Sequence, residues 1–168
     1  QFSILQLELA YQELLNGGIM TESRGRVTFR GREALIEERE KREAFFPRKL
    51  RRARRVARWL AVLPGVRFVA LCNTTALAHA RDEGDLDFFV VTERGTLWQT
   101  RAIAVLPFKI LQRRPQESRA TRDAVCLSFF VDDSALDLSS LQLDDDDPYF
   151  RHWFLSLLSQ FSKYPSRW

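Results

Sequence analysis

Val66-Arg67-Phe68-Val69-Ala70-Leu71-Cys72-Asn73-Thr74-Thr75-Ala76-Leu77-Ala78-His79-Ala80-Arg81-Asp82-Glu83-Gly84-Asp85-Leu86-Asp87-Phe88-Phe89-Val90-Val91-Thr92 is the stretch on which the fold turns. Its first seven residues are an apolar run of strand length, and Leu86 to Thr92 are another. Between them lie a small polar loop at Asn73-Thr74, room for a short helix, and the acidic triplet Asp85-Leu86-Asp87 that opens the second strand. Side chains on a strand alternate faces, so Asp85 and Asp87 point the same way, about 7 Å apart. Two carboxylates at that spacing can share a hard cation such as Mg2+ and leave coordination positions for phosphate oxygens. Acidic pairs at strand ends are common, so the surroundings decide what this one means.

Upstream, Leu63-Pro64-Gly65 ends a helical pattern from about Arg48 to Val62, with Leu50, Ala53, Val56, Ala57 and Leu60 on one face. Pro47 disfavours helix at Phe46 and suits the first turn of a new one, so the charged stretch from Glu33 to Leu63 reads as two helices. Near the start, Ile4 to Leu15 reads as a helix stopped by Asn16-Gly17-Gly18. Ile19 to Arg30 then reads as two short strands about a turn at Arg24-Gly25. A helix followed by such a hairpin is the tail end of a winged-helix unit. The chain opens at Gln1 in what reads as the middle of a helix, as expected of a piece of a longer protein.

Downstream, Gly95-Thr96 opens an apolar helix from Leu97 to about Gln112 with a bend expected at Pro107. Arg113 to Arg122 is a polar loop, and Val125 to Val131 a third strand, ended by Asp132-Asp133. Asp144 to Asp147 precede Pro148, where acidic residues favour a helix N-terminus. The helix that follows is expected to be aromatic and amphipathic, Tyr149 to Phe161, carrying Phe150, Trp153, Phe154, Leu157 and Phe161 at helical spacing. The expected class is α+β, a mixed β-sheet flanked by helices. Residues 1–46 form a partial winged-helix-like segment with a connecting helix, and residues 47–168 the main domain.

Of the 168 residues, 45% are hydrophobic and 29% charged, the balance of a soluble globular protein. No secretory signal and no apolar run of about 18 residues occurs, so no membrane span is expected. Cys72 and Cys126 sit in apolar strand-like runs and read as buried thiols, which fits a reducing cytoplasm. The net charge of +4 is unevenly placed, with seven Arg and Lys between Arg48 and Arg58. Such a basic helix is either a solvated face or a contact for nucleic acid or a phosphate-bearing substrate. His79 and His152 have no His or Cys partner at ligand spacing and read as ordinary packing or surface residues. There is no Walker loop, no dinucleotide fingerprint and no Ser/His/Asp arrangement.

Strand, polar loop, short helix and Asp-x-Asp on the next strand together resemble the DNA-polymerase-beta-like nucleotidyltransferase superfamily, most nearly an uncharacterised bacterial group with an N-terminal winged-helix-like segment. The likeness extends from about Arg24 onward, through the arginine helix, Leu63-Pro64-Gly65 and Gly84-Asp85-Leu86-Asp87 to Leu97-Trp98-Gln99-Thr100-Arg101. It continues through Val125-Cys126-Leu127-Ser128-Phe129-Phe130 to Asp147-Pro148-Tyr149-Phe150. The resemblance implies transfer of a nucleotidyl group from a nucleoside triphosphate to an unknown acceptor. Asp85 and Asp87 would be the catalytic, Mg2+-binding carboxylates, and Asn73 and Thr74 would lie at the phosphates. It also implies departures: Asn73-Thr74 stands where the superfamily has Gly-Ser, and the Asn Cβ crowds a phosphate that must come close. The superfamily's third carboxylate lies on a later strand. Val125 to Val131 has Ser128 near its middle and no acid inside; Asp132 lies on the Ser128 face but roughly 13 Å along, and Asp123 flanks the other end. The alternative is a non-catalytic protein that keeps the fold and contacts nucleic acid or a partner through the arginine helix and the winged-helix remnant.

Overall fold

The computed structural model describes residues 3–111, 122–144 and 146–164, apart from the side chain of Ser128. Gln112 and the loop 113–121 expected from the sequence lie outside them. The chain divides into two compact units, Gln1–Ala44 and Phe45–Trp168.

The first unit begins with α1 (Ile4–Asn16). Rather than opening in mid-helix, α1 has its own start: the Ser3 hydroxyl accepts from the Gln6 N–H, and the Gln6 side chain accepts from the Ser3 N–H. Such a capping box satisfies two backbone donors that a helix start leaves open. Strands β1 (Met20–Ser23) and β2 (Arg26–Phe29) pair antiparallel, Ser23 opposite Arg26. Arg24 and Gly25 both have positive φ, 54° and 69°, as a two-residue hairpin turn requires. The Tyr11 hydroxyl donates to Glu22 at 2.8 Å and joins α1 to the hairpin.

Helix α2 (Ala34–Ala61) corrects the sequence expectation, since it runs through Pro47 without ending. Proline removes one bond, to the Glu43 carbonyl, but starting a second helix would cost a new nucleus. Ion pairs Glu38–Arg42 and Arg39–Glu43 support the first half, and burial of Ala53, Ala57 and Leu60 holds the second.

The second unit is built on a four-stranded mixed sheet in which β5 (Val125–Asp132), β4 (Leu86–Thr92), β3 (Val66–Leu71) and β6 (Leu158–Ser162) lie in that order. Strands β3, β4 and β5 stand where the sequence put them; β3 and β4 are antiparallel, β4 and β5 parallel. Alternation along β4 divides the core. Leu86, Phe88 and Val90 pack with Ala53, Ala57 and Leu60 of α2 and Ala104 of α4 (Leu97–Ile110). Phe89 and Val91 face the other side, with Ala70 and Cys72 under Trp153, Leu157 and Leu138. Each fully buried Val, Leu or Phe side chain contributes roughly 1.5–3 kcal/mol. Gly65 (φ 82°) makes the turn into β3, and a Cβ there would clash with the Thr100 and Thr96 hydroxyls.

The long C-terminal helix expected over Tyr149 to Phe161 is not formed. Helix α5 spans Pro148–Leu155 only, and Leu158–Ser162 is a strand, β6, antiparallel to β3. Leu-Ser-Gln-Phe-Ser is too short and too neutral to prefer a helix strongly, and β3 offers a free edge whose backbone groups need partners. Asp147 caps α5 as the acidic run suggested, its carboxylate accepting from the N–H groups of Phe150 and Leu143.

Candidate functional site

Asp85 and Asp87 stand at the start of β4, where the exit of β3 and the entry of β5 also meet. The Cys72 N–H donates to the Asp87 carbonyl at 3.0 Å, and the Leu86 N–H to the Ala124 carbonyl at 2.8 Å. Immediately after Cys72 comes α3 (Asn73–Ala76), a single turn. The buried Thr75 hydroxyl donates to the Asp85 carbonyl at 2.9 Å, tying this turn to the acidic segment. The four residues singled out from the sequence are therefore brought to one end of the sheet. Asp85 and Asp87 are half-buried, Asn73 is half-buried and Thr74 is exposed. Burial pushes the Asp85 carboxyl above its ordinary range, and the neighbouring Asp87 charge pushes it further; Lys49 opposes both. Asp87 charge also acts on Cys72, whose buried thiol is pushed up to about 12, chiefly by desolvation.

Asn73 has φ 57°, a left-handed conformation that Asn tolerates better than most residues. Its side-chain oxygen is already engaged: the Trp153 indole N–H donates to Asn73 Oδ1 at 2.9 Å. Trp153 is itself set among Phe89, Phe129 and Phe150, with ring centroids 5.5–6.0 Å apart. Helix α5 thus bears directly on the loop.

Neither flanking acid joins the pair. Asp132 lies opposite Thr92, five residues along β4 from Asp87, roughly 17 Å away along the strand. There it accepts from the Ser134 hydroxyl and N–H and from the Gly95 N–H, which hold its carboxyl below the usual range. Asp123 turns instead to α2, where Lys49 Nζ is 2.7 Å away and Arg48 and Arg52 each 3.4 Å. Cys126 is the residue opposite Asp87 on β5. Among the described residues, no group of three or more His, Cys, Asp and Glu side chains is placed to hold a metal ion.

Lys49 was not foreseen from the sequence. Its ammonium is almost wholly buried and also donates to the Gly84 carbonyl at 2.5 Å, one residue before Asp85. Arg48 and Arg122 hold Asp82 on the same loop at 2.6 and 2.8 Å. A signal was present: Lys49 precedes Ala53, Ala57 and Leu60 on the stripe i, i+4, i+8, i+11, and it is the lone lysine among the helix's seven cations from 48 to 58. The sequence marks Trp153 only as one of several aromatic positions at helical spacing, and its indole donor is what sets it apart.

No helix among the described residues is long and apolar enough to cross a membrane. Comparison of the chain with protein-family models, with curated proteins and with solved structures finds no match.

Proposed function

We propose that this chain is a nucleotidyltransferase-like domain that binds a divalent cation and a nucleoside triphosphate at Asp85 and Asp87 and passes a nucleotidyl group to an acceptor. The observation that carries the reading is the hydrogen bond from the Cys72 N–H to the Asp87 carbonyl, because it sets the Asn73-Thr74 loop against the carboxylate-bearing start of β4. The antiparallel β3–β4 and parallel β4–β5 pairing is consistent with it.

The carboxylates fit a hard cation. They supply oxygen donors only, and their mutual repulsion, which comes second to burial in raising the Asp85 carboxyl, is relieved by a bound dication. Asp85 and Asp87 would hold Mg2+, which when bound neutralises charge on phosphate oxygens. The exposed Thr74 hydroxyl and the backbone of the Asn73 turn lie where phosphates would be received. Lys49, through the Gly84 carbonyl, fixes the backbone that presents Asp85.

A second reading, a non-catalytic protein that keeps this architecture and uses α1 and its hairpin as a winged-helix-like contact, is favoured by two observations. Trp153 engages the Asn73 side chain, and Cys126 stands opposite Asp87. Melting with Mg2+ or Mn2+, alone and with each nucleoside triphosphate, separates the readings when pyrophosphate release is followed in parallel. The enzyme reading expects metal to raise Tm, nucleotide to raise it further only with metal, and pyrophosphate to appear. Asp85→Asn with Asp87→Asn should abolish all three. Metal and nucleotide binding without pyrophosphate selects the second reading, and an unchanged metal response in the double variant removes the site.

A further inference from the structure

The second half of helix α2 sorts its seven cations into two rows. Arg48, Lys49 and Arg52 are consumed by Asp82 and Asp123. Arg51, Arg54, Arg55 and Arg58 recur at i, i+3, i+4 and i+7, one stripe of the helix, and all four are exposed. None of the four has an ion pair with another described residue. They line an open groove of about 830 Å3 whose opposite wall is β6, at Ser159 and Gln160. Among the described residues no acid lines it, and Phe46 does. This groove is separate from the Asp85–Asp87 pair: it lies along the outer edge of the sheet, whereas the pair opens β4 two strands away.

Four like charges held together with no acidic partner among the described residues repel one another, and a polyanion is the ligand that relieves this. Two kinds of polyanion could enter a groove walled by an edge strand, an acidic peptide adding to the sheet or a nucleic-acid backbone. The edge argues against the first. Between Ser159 and Phe161 the register with β3 shifts, so Gln160 is the extra residue of a bulge. Its side-chain amide donates to the carbonyls of Leu158 and Ser159 at 3.1 and 3.0 Å. A bulge and occupied carbonyls blunt an edge against strand addition. We propose that the groove binds the phosphodiester backbone of a single-stranded nucleic acid, the arginines tracking phosphates and Phe46 offering a face on which a base stacks.

The test is fluorescence anisotropy with labelled single strands of about 20 nucleotides, RNA and DNA in separate arms, over a salt series from about 50 to 200 mM. Polyglutamate serves as competitor. The parent should bind at least one strand chemistry, with affinity falling steeply with salt. Arg51→Gln, Arg54→Gln, Arg55→Gln and Arg58→Gln combined should weaken binding roughly tenfold or more and lower the slope of log K against log salt by about 3, the share of four phosphate contacts on a single strand. Arg94→Gln with Arg151→Gln, exposed cations outside the groove, should leave binding within about twofold, and circular dichroism melts check that both variants fold. Failure of the parent to bind either strand at low salt, an unchanged affinity in the fourfold variant, or stronger binding of polyglutamate than of either strand overturns the proposal.

Discussion

Lys49 Nζ lies 2.7 Å from Asp123 Oδ1, and both side chains are almost wholly shielded from water. Asp123 sits at φ 54°, just ahead of β5, and Lys49 in α2, so the pair joins the helix to the sheet at the end where the candidate site stands. A buried charge left without its partner is costly, and Asp123→Leu, which leaves the Lys49 ammonium only the Gly84 carbonyl among its described partners, is expected to destabilise by about 3–5 kcal/mol in urea unfolding. Lys49→Met should cost less, because Arg48 and Arg52 remain beside Asp123. Lys49→Met together with Asp123→Leu should lose less than the two single changes added, and simple addition would mean the pair is not coupled.

Asp85 gives a pH signature. Its folded-state pKa is raised, first by burial and then by Asp87, so the folded chain holds the proton more tightly than the unfolded chain. Stability is then present below the unfolded value, near about 4, and lost as pH rises through the folded value. Asp85→Asn should therefore melt higher than the parent at neutral pH without metal, with the advantage vanishing near about pH 3. A constant difference across that range would contradict the burial argument.

Cys72 follows the same sign in an alkaline window. Its thiol is pushed from 9.0 up to about 12, by burial first, then by Asp87 and Cys126. Because the thiolate is the reactive form, Cys72 should resist alkylation in the native protein and react on unfolding. Its contribution to stability should fall as pH rises from about 9 toward about 12. Mass mapping of alkylated peptides with and without urea is the check, and fast native labelling of Cys72 would refute it.

Trp153 holds the loop through Asn73 Oδ1. Trp153→Phe keeps most of the aromatic packing and deletes the donor, leaving Asn73 free to turn. If this contact restrains phosphate entry, Mg2+-dependent nucleotide affinity should rise by roughly three- to tenfold, the worth of about one hydrogen bond. Asn73→Gly should act in the same direction, since glycine adopts φ 57° without strain. Calorimetry showing weaker nucleotide binding in both variants would make the contact supportive instead.

The elements legible in the sequence were those whose pattern and local chemistry agree. Strands β3, β4 and β5 are runs of strand length bounded by turn residues, and the Arg24-Gly25 turn takes the backbone angles a tight hairpin needs. Two elements were misread because distant partners outvoted local cues. Pro47 signals a helix start by itself, yet burial of Ala53, Ala57 and Leu60 carries α2 through it. Phe161 continues a helical spacing from Trp153 and Leu157, but the vacant side of β3 draws Leu158–Ser162 into the sheet. The placement of Asp85, Asp87, Asn73 and Thr74 at one sheet end followed from strand order alone. The partners of Asp123 and Asn73 did not, because Lys49 and Trp153 lie 74 and 80 positions away and their contacts depend on the closed fold.

The order in which β3 acquires its neighbours has a consequence for synthesis. Val69 pairs with Val90, soon after it, but with Phe161 only about 90 residues later. At translation rates of roughly 5–20 residues per second, a nascent chain carries β3 with one side unpaired for about 5–20 s. That side presents Phe68, Val69, Ala70 and Leu71, an apolar template for the strands of neighbouring chains until β6 emerges to cover it. How long that side stays open during synthesis is set by the interval between making β3 and making β6, not by the stability of the finished sheet.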